Sequence, residues 1–221
     1  MAVRAKICGI RSEHDLRVAV AAGADAVGFI CGVTHFSEDA LEVEEAERLA
    51  GLVPPFVSRV LVTHLEEAQE IVELADRVGV DTIQVHGVVG ADVVRQVRKG
   101  ARGRRIVKAV HVTGPEALYV AREEAVDCDA VLLDSRTMDR LGGTGQTHDW
   151  SISAQIAAEL HCPVILAGGL TPANAGAAIG VVAPFAIDVN SGVEDEAGNK
   201  HPEACAAFVR AAHRDTDAEI V

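Results

Sequence analysis

Two residues at the ends of apolar runs carry chemistry. Lys6-Ile7-Cys8-Gly9-Ile10 closes the first such run, and Val131-Leu132-Leu133-Asp134 closes a later one. A thiol and a carboxylate at the tips of two separate strands are a candidate acid/base pair. Glycine-rich segments follow at Gly142-Gly143-Thr144-Gly145 and Ala167-Gly168-Gly169. Small residues let a backbone approach an anion closely, and helix N-termini offer it N–H groups. The combination points to an enzyme that moves protons on a phosphorylated small molecule.

Such residues meet only if a scaffold gathers them. Short apolar runs predict strands at Val3–Cys8, Ala26–Ile30, Ser58–Val62, Thr82–Val85, Ile106–Val110, Ala130–Asp134, Val164–Ala167 and Phe185–Val189. Amphipathic stretches predict helices at Glu13–Ala22, Val43–Gly51, Leu65–Val78, Gly90–Lys99, Pro115–Glu123, Ile152–Leu160, Pro172–Ile179 and Pro202–His213. Ser12 with Asp15 resembles a capping box, Thr171-Pro172 places Pro in a first turn, and Gly23, Gly79 and Gly100 read as helix stops. Strand–helix units of even length imply a parallel sheet, and eight of them close into a (β/α)8 TIM barrel. The rival, a doubly wound open sheet, lacks support because no G-x-G-x-x-G follows the first strand. In a barrel the active site lies at the C-terminal strand ends, so Cys8, Gln84, His86, Asp134, Gly168 and the segment from Asp188 to Ser191 would share one mouth.

Composition narrows the partners. The 221 residues are 49% hydrophobic but only 3% aromatic, which suits a core of Val, Ala, Leu and Ile under helices. A net charge of -13 argues against nucleic-acid binding, while still allowing local capture of phosphate by backbone amides. No apolar run has transmembrane length and the N-terminus lacks a signal-peptide core, so a cytoplasmic protein with no membrane partner is expected. The five cysteines match neither a zinc site nor a disulfide framework and read as free thiols. No linker divides residues 1–214, which are expected to form one domain, with 215–221 a polar tail.

The ordered set of motifs resembles the phosphoribosylanthranilate isomerase family, a ribulose-phosphate-binding barrel of tryptophan biosynthesis. The segments that carry the resemblance are Lys6-Ile7-Cys8-Gly9-Ile10, Gly23-Ala24-Asp25-Ala26-Val27-Gly28-Phe29, Pro54-Pro55-Phe56-Val57, Gln84-Val85-His86-Gly87, Leu132-Leu133-Asp134, Gly142-Gly143-Thr144-Gly145, Asp149-Trp150, Leu166-Ala167-Gly168-Gly169-Leu170 and Asp188-Val189-Asn190-Ser191-Gly192-Val193-Glu194. The resemblance implies an Amadori rearrangement, in which an N-linked ribosyl phosphate becomes a 1-amino-1-deoxyribulose phosphate. It makes Asp134 the general acid at the furanose ring oxygen and Cys8, as thiolate, the general base at C2′. It implies no metal and no organic cofactor, and a monomer or homodimer. Phosphate would fall to Gly143, Gly145, Gly168, Gly169, Ser191 and Gly192, and the rest of the substrate to Lys6, Gln84, His86, Asp188 and Asn190. On this reading Cys8 needs a depressed pKa, helped by Lys6 on the same strand face, and Asp134 needs a raised one.

The chain departs from the family after the second strand. The family carries Ser-Pro-Arg or Ser-Lys-Arg there, whose Arg meets the anthranilate carboxylate. Here the stretch Cys31-Gly32-Val33-Thr34-His35-Phe36-Ser37-Glu38-Asp39-Ala40 has no Arg. His148 replaces a usual Phe, and Asn190-Ser191 a usual Ser-Ser. His35, Arg136, Arg140 or His148 are the candidate replacements. A paralogue for another amino-pentose phosphate, an epimerase or lyase, and a non-catalytic phosphometabolite-binding barrel remain as alternatives. Blander readings stand beside these: Cys8 as a core thiol, Asp134 as a helix cap, Gly142–Gly145 as an ordinary loop, Arg59 as an ion-pair residue. Cys31, Cys128, Cys162 and Cys205 are assigned to packing. His111, His161, His201 and His213 are assigned to surface or loops, and the acidic run Glu42–Glu47 to a solvated helix face.

Overall fold

The structure is a computed structural model that describes residues 2–34, 36–135 and 148–214. Strands and helices alternate: β1 (Arg4–Ile7), α1 (Glu13–Ala21), β2 (Ala26–Cys31), β3 (Ala40–Leu41), α2 (Val43–Ala50), β4 (Ser58–Thr63), α3 (Ala68–Val78), β5 (Thr82–Val85), α4 (Ala91–Gly100), β6 (Arg105–Val112), α5 (Ala117–Glu124), β7 (Ala130–Ser135), α6 (Trp150–Glu159), β8 (Val164–Leu166), α7 (Ala175–Val182), β9 (Ala186–Val189) and α8 (Pro202–His213). A short 3-10 turn, Ser191–Val193, follows β9. All strand pairings are parallel, and β1 pairs with both β9 and β2, so β1, β2 and β4–β9 close into an eight-stranded barrel. The two-residue β3 hangs on the outer end of β2 and had no counterpart in the sequence pattern, because two residues carry no period.

Strand alternation sorts the side chains. On β6, Ile106, Val110 and Val112 join the large core between strands and helices, while Val107 and Ala109 fill the barrel interior with Leu132 of β7. Cys8, Val60 and Val62 pack inside on the opposite side. The helices close over the outer layer by apolar residues at one face. In α3, Ile71, Leu74, Ala75 and Val78 are buried at the spacing of one helical stripe, each large one contributing about 1.5–3 kcal/mol. Gly79 then ends α3 at φ 73°, its N–H on the Ala75 carbonyl, a left-handed cap that a Cβ would strain.

Helix ends differ from the sequence reading in three places. Ser12 Oγ accepts from the Asp15 N–H as expected, but the Asp15 carboxylate turns to the backbone N–H groups of Arg11 and Lys200 instead of closing a box. Gly100 is the last residue of α4, and the chain turns at Arg102 and Gly103, both at positive φ. Helix α7 starts at Ala175. Pro172 sits in the preceding turn, where Asn174 Oδ1 accepts from the Thr171 N–H. Among the expected sites of ion pairing, Arg59 meets Asp81 at 2.5 Å on the exposed N-terminal side of the barrel, away from the mouth.

Candidate active site

A cavity of about 320 Å³ opens at the C-terminal ends of the strands, and Cys8, Gln84, His86, Asp134, Gly168, Gly169, Asp188, Asn190, Ser191 and Gly192 all line it. His35, Arg136, Arg140, Gly143 and Gly145 lie outside the described residues.

One wall is built by β1 and β9. Lys6 and Cys8 point inward one above the other, and Lys6 faces Asp188 across the β1–β9 register. Asp188 Oδ2 accepts from Lys6 Nζ at 2.7 Å, with both side chains buried. Gly28 of β2 makes room for them: a Cβ there would stand 2.7 Å from Cys8 Sγ and 3.1 Å from Lys6 Cε. Burial pulls the Lys6 ammonium down, but Asp188 and the Cys8 thiol more than offset this, and its pKa ends above the ordinary range. Burial pushes the Cys8 thiol up. Lys6 draws it down by less, Asp188 pushes it further up, and the net displacement is upward. The expected depression is therefore absent. Lys6 is close, but its charge is largely committed to a second carboxylate.

The facing wall comes from β5, β6 and β7. Gln84 and His86 project inward from β5, with Gln84 Nε2 3.1 Å from His86 Nδ1. The other ring nitrogen, Nε2, lies 3.3 Å from Asp134 Oδ2. Burial pushes the Asp134 carboxyl up, but His86, His111 and the Ser135 N–H outweigh it, so its pKa falls below the ordinary range. The expected raised acid is again reversed, because imidazoles from the end of β5 and from β6 surround it. His111 belongs to β6 and lies with its ring centroid 5.4 Å from that of His86, edge-on at 77°. It is not the loop or surface residue the sequence suggested. His64, just past β4, stacks edge-on to the other side of His86 at 5.1 Å and lines the cavity.

The rim ties three loops together. Asn190 Nδ2 donates to Asp39 Oδ2 at 2.7 Å, and Asn190 Oδ1 accepts from Lys200 Nζ at 2.7 Å. Lys200 is fully buried and also reaches Glu194 at 2.6 Å. Asp39 lines the cavity and has Arg11 Nε at 3.6 Å, so the cation beside the loop after β2 comes from the loop after β1. His148 hydrogen-bonds Ser153, and burial holds its imidazole below the usual range despite Asp134 and Asp149, which makes it a poor substitute for an arginine.

The glycines turn out to serve protein packing as well as ligand approach. Gly168 has φ 84°, and a Cβ on it would meet the Ser135 N–H group and stand 2.8 Å from Asp134 Oδ1. A Cβ on Gly192 would run into the Leu170 carbonyl oxygen.

Sequence reasoning missed His64, Asp39 and Lys200. His64 continues the inward alternation of Val60 and Val62, a signal that was there to read. Lys200 lies between the 3-10 turn and α8 with no pattern to mark it.

With this geometry in place, comparison with known proteins decides the family. The family model described as N-(5'phosphoribosyl)anthranilate (PRA) isomerase matches residues 5–211. The chain belongs to this family. It is 40% identical over 215 residues to N-(5'-phosphoribosyl)anthranilate isomerase 2 of Methanosarcina mazei, covering 96% of this chain and 95% of that one. The crystal structure of phosphoribosyl anthranilate isomerase from Thermotoga maritima superimposes with a TM-score of 0.84 at 35% identity, covering 95% of this chain and 98% of the other. A phosphoribosyl anthranilate isomerase in complex with reduced 1-(o-carboxyphenylamino)-1-deoxyribulose 5-phosphate matches with a TM-score of 0.81 at 34% identity and the same coverage. Among the described residues, no helix is long and apolar enough to cross a membrane.

Proposed function

We propose that the chain catalyses the Amadori rearrangement of N-(5'-phosphoribosyl)anthranilate to 1-(o-carboxyphenylamino)-1-deoxyribulose 5-phosphate, as a cytoplasmic monomer or homodimer. Family membership supports the reaction. The observation that carries it to residues is the single cavity shared by Cys8, Asp134 and the glycines after β8 and β9.

Asp134 delivers a proton to the furanose ring oxygen, the ring opens, and the nitrogen lone pair forms a Schiff base. The Cys8 thiolate takes the C2′ proton to give an enolamine, which tautomerises to the ketone. The substrate's own iminium accepts the electrons. In the free protein this pair holds one proton, on sulfur rather than on the carboxyl, as the directions of the two pKa values dictate. The reactive form holds the same single proton on Asp134. Turnover thus starts from a minor arrangement of the right total charge.

Backbone N–H groups of Gly168, Gly169, Ser191 and Gly192, with Gly143 and Gly145, take the phosphate. Charge-assisted hydrogen bonds of this kind contribute roughly 1.5–3 kcal/mol each. Gln84, His86 and Asn190 face the ribose, while Lys6 and Asp188 fix the base. His35 and Arg136 remain candidates for the anthranilate carboxylate. Arg11 neutralises Asp39 at the rim, which removes the charge that would otherwise repel that carboxylate.

A second reading, an amino-pentose phosphate with a different aglycone, draws on the arginine-free loop after β2 and on Asp39 in the cavity wall. A turnover assay with N-(5'-phosphoribosyl)anthranilate beside other N-ribosyl phosphates separates the two. Preference for the anthranilate compound is expected. Faster turnover of an uncharged analogue would favour the second reading, and turnover of none would overturn both.

A further inference from the structure

We propose that His86, His111 and Asp134 form a binding site for a divalent transition-metal cation, and that its occupancy switches the acid off. One donor atom from each of the three residues lies within 4.8 Å of the others. They come from neighbouring elements of the barrel, and His111 and Asp134 are paired Cα partners across β6 and β7. His86 Nε2 and Asp134 Oδ2 already stand 3.3 Å apart. Tetrahedral zinc with bonds of about 2.0–2.1 Å sets its donors about 3.4 Å apart. The His111 donor lies within 4.8 Å of both.

The donor set selects the metal class. Two imidazoles and one carboxylate suit zinc, cobalt or nickel rather than magnesium or calcium, which take oxygen ligands. Three protein donors leave a position for water, and two of them, His86 and Asp134, line the cavity. Gln84 supplies the supporting contact that metal-bound histidines require. Its side chain already touches His86 Nδ1, and a turn of the amide presents the carbonyl oxygen to an Nδ1 proton, freeing Nε2 as a ligand. The ligand histidine added to the machinery of the wall is His111, which the rearrangement itself does not use.

Metal binding and catalysis compete for one oxygen. A carboxylate bound to a cation carries no proton for the ring oxygen, so the loaded protein is inactive. This consequence rests on Asp134 as the acid, whereas binding itself does not.

The test uses the full chain stripped of metal, titrated with Co2+ in the absence of substrate. One cobalt per chain is expected, with visible d–d absorption and without the near-ultraviolet sulfur-to-cobalt band. His111→Gln should weaken binding at least about tenfold, and His111→Asn serves if that variant fails to fold. Zn2+ should inhibit the native enzyme, EDTA should restore it, and the half-inhibiting Zn2+ concentration should rise by a similar factor in the variant. No bound cobalt, a sulfur charge-transfer band, or equal affinity in the His111 variants would overturn the site. Cobalt binding as expected, with turnover untouched, would overturn the claim that the metal takes Asp134.

Discussion

The two walls of the barrel mouth bury a carboxylate to the same degree and do opposite things with it. Asp188 and Asp134 are each 6% exposed. Asp188 meets an ammonium at 2.7 Å, and Asp134 meets an imidazole at 3.3 Å. An ammonium in such a contact is a fixed counter-charge with nothing further to give. An imidazole is a hydrogen-bonding partner with two ring nitrogens, one of which meets the carboxylate while the other meets Gln84. The first wall therefore carries a structural clamp, Lys6 with Asp188, that holds the proposed base Cys8 in place. The second surrounds the proposed acid, Asp134, with imidazoles. The difference lies in the partner, since burial is the same in both.

Removing the proposed base and acid breaks the comparison most severely. Cys8→Ala and Asp134→Asn should each lower kcat by roughly 10²–10⁴-fold, the usual worth of a positioned acid or base. Affinity for a reduced product analogue should change little. Steady-state kinetics with calorimetry of the analogue checks both, and near-native turnover in both variants would end the assignment.

The pH profile sharpens the same point. With Asp134 displaced downward and Cys8 upward, the singly protonated pair persists across neutrality. We expect kcat/KM to be flat there and to fall on the alkaline side as Cys8 ionises, because no proton then remains for Asp134. A profile that rises with a thiol pKa instead would mean that Cys8 acts from a pre-formed thiolate.

Next in size is the clamp. Lys6→Met leaves Asp188 buried opposite a methyl group, a break that typically costs about 3–5 kcal/mol. His86→Gln keeps a hydrogen-bonding group near Asp134 and should cost clearly less. Urea melts at neutral pH measure both as changes in midpoint. Equal losses in the two variants would erase the distinction between the walls.

The barrel was legible because its signals are local. Each buried strand is a short apolar run, each helix shows one apolar stripe, and the strand ends at Cys8, Gln84 and Asp134 follow from counting alternate residues. The chemistry around those residues was less legible because it is made across strands. His111 shows no ligand spacing along the chain, yet parallel neighbours bring it to His86 and Asp134. The directions of the Cys8 and Asp134 pKa values were inverted for the same reason. Sequence showed Lys6 beside Cys8 but could not show Asp188 claiming the ammonium. Lys200 lies furthest beyond reach, since its buried contacts with Asn190 and Glu194 join segments that share no periodic pattern.

A smaller effect probes how tightly the clamp wall is packed. Gly28→Ala places a methyl 2.7 Å from Cys8 Sγ and 3.1 Å from Lys6 Cε. Overpacking of this kind costs about 1–3 kcal/mol. We expect that loss in thermal or urea melts, with a fall in kcat and little change in KM, because the thiol rather than the phosphate cradle is displaced. An unchanged kcat would show that Cys8 tolerates movement and that its position is not the property being held.

The smallest effect is the alkaline stability conferred by Cys8 itself. The folded thiol has its pKa raised above 9.0, so it keeps its proton where an unfolded cysteine has lost it. Through that window the native state binds more protons than the unfolded one. Stability therefore falls as pH rises, by up to about 1.4 kcal/mol per pH unit for one group. Cys8→Ser has no such ionisation. The difference in stability between the native chain and this variant should therefore be constant below the thiol range and narrow above it. The other raised thiols, Cys31, Cys128, Cys162 and Cys205, contribute equally to both proteins and cancel. Asp134 has the opposite sign: its lowered pKa adds stability above the ordinary carboxylate range, lost as pH falls through the folded value. The two walls should thus lose their contributions at opposite ends of the pH scale. Parallel alkaline curves for the native chain and Cys8→Ser would mean that the pull of Lys6 on the sulfur cancels the effect of burial.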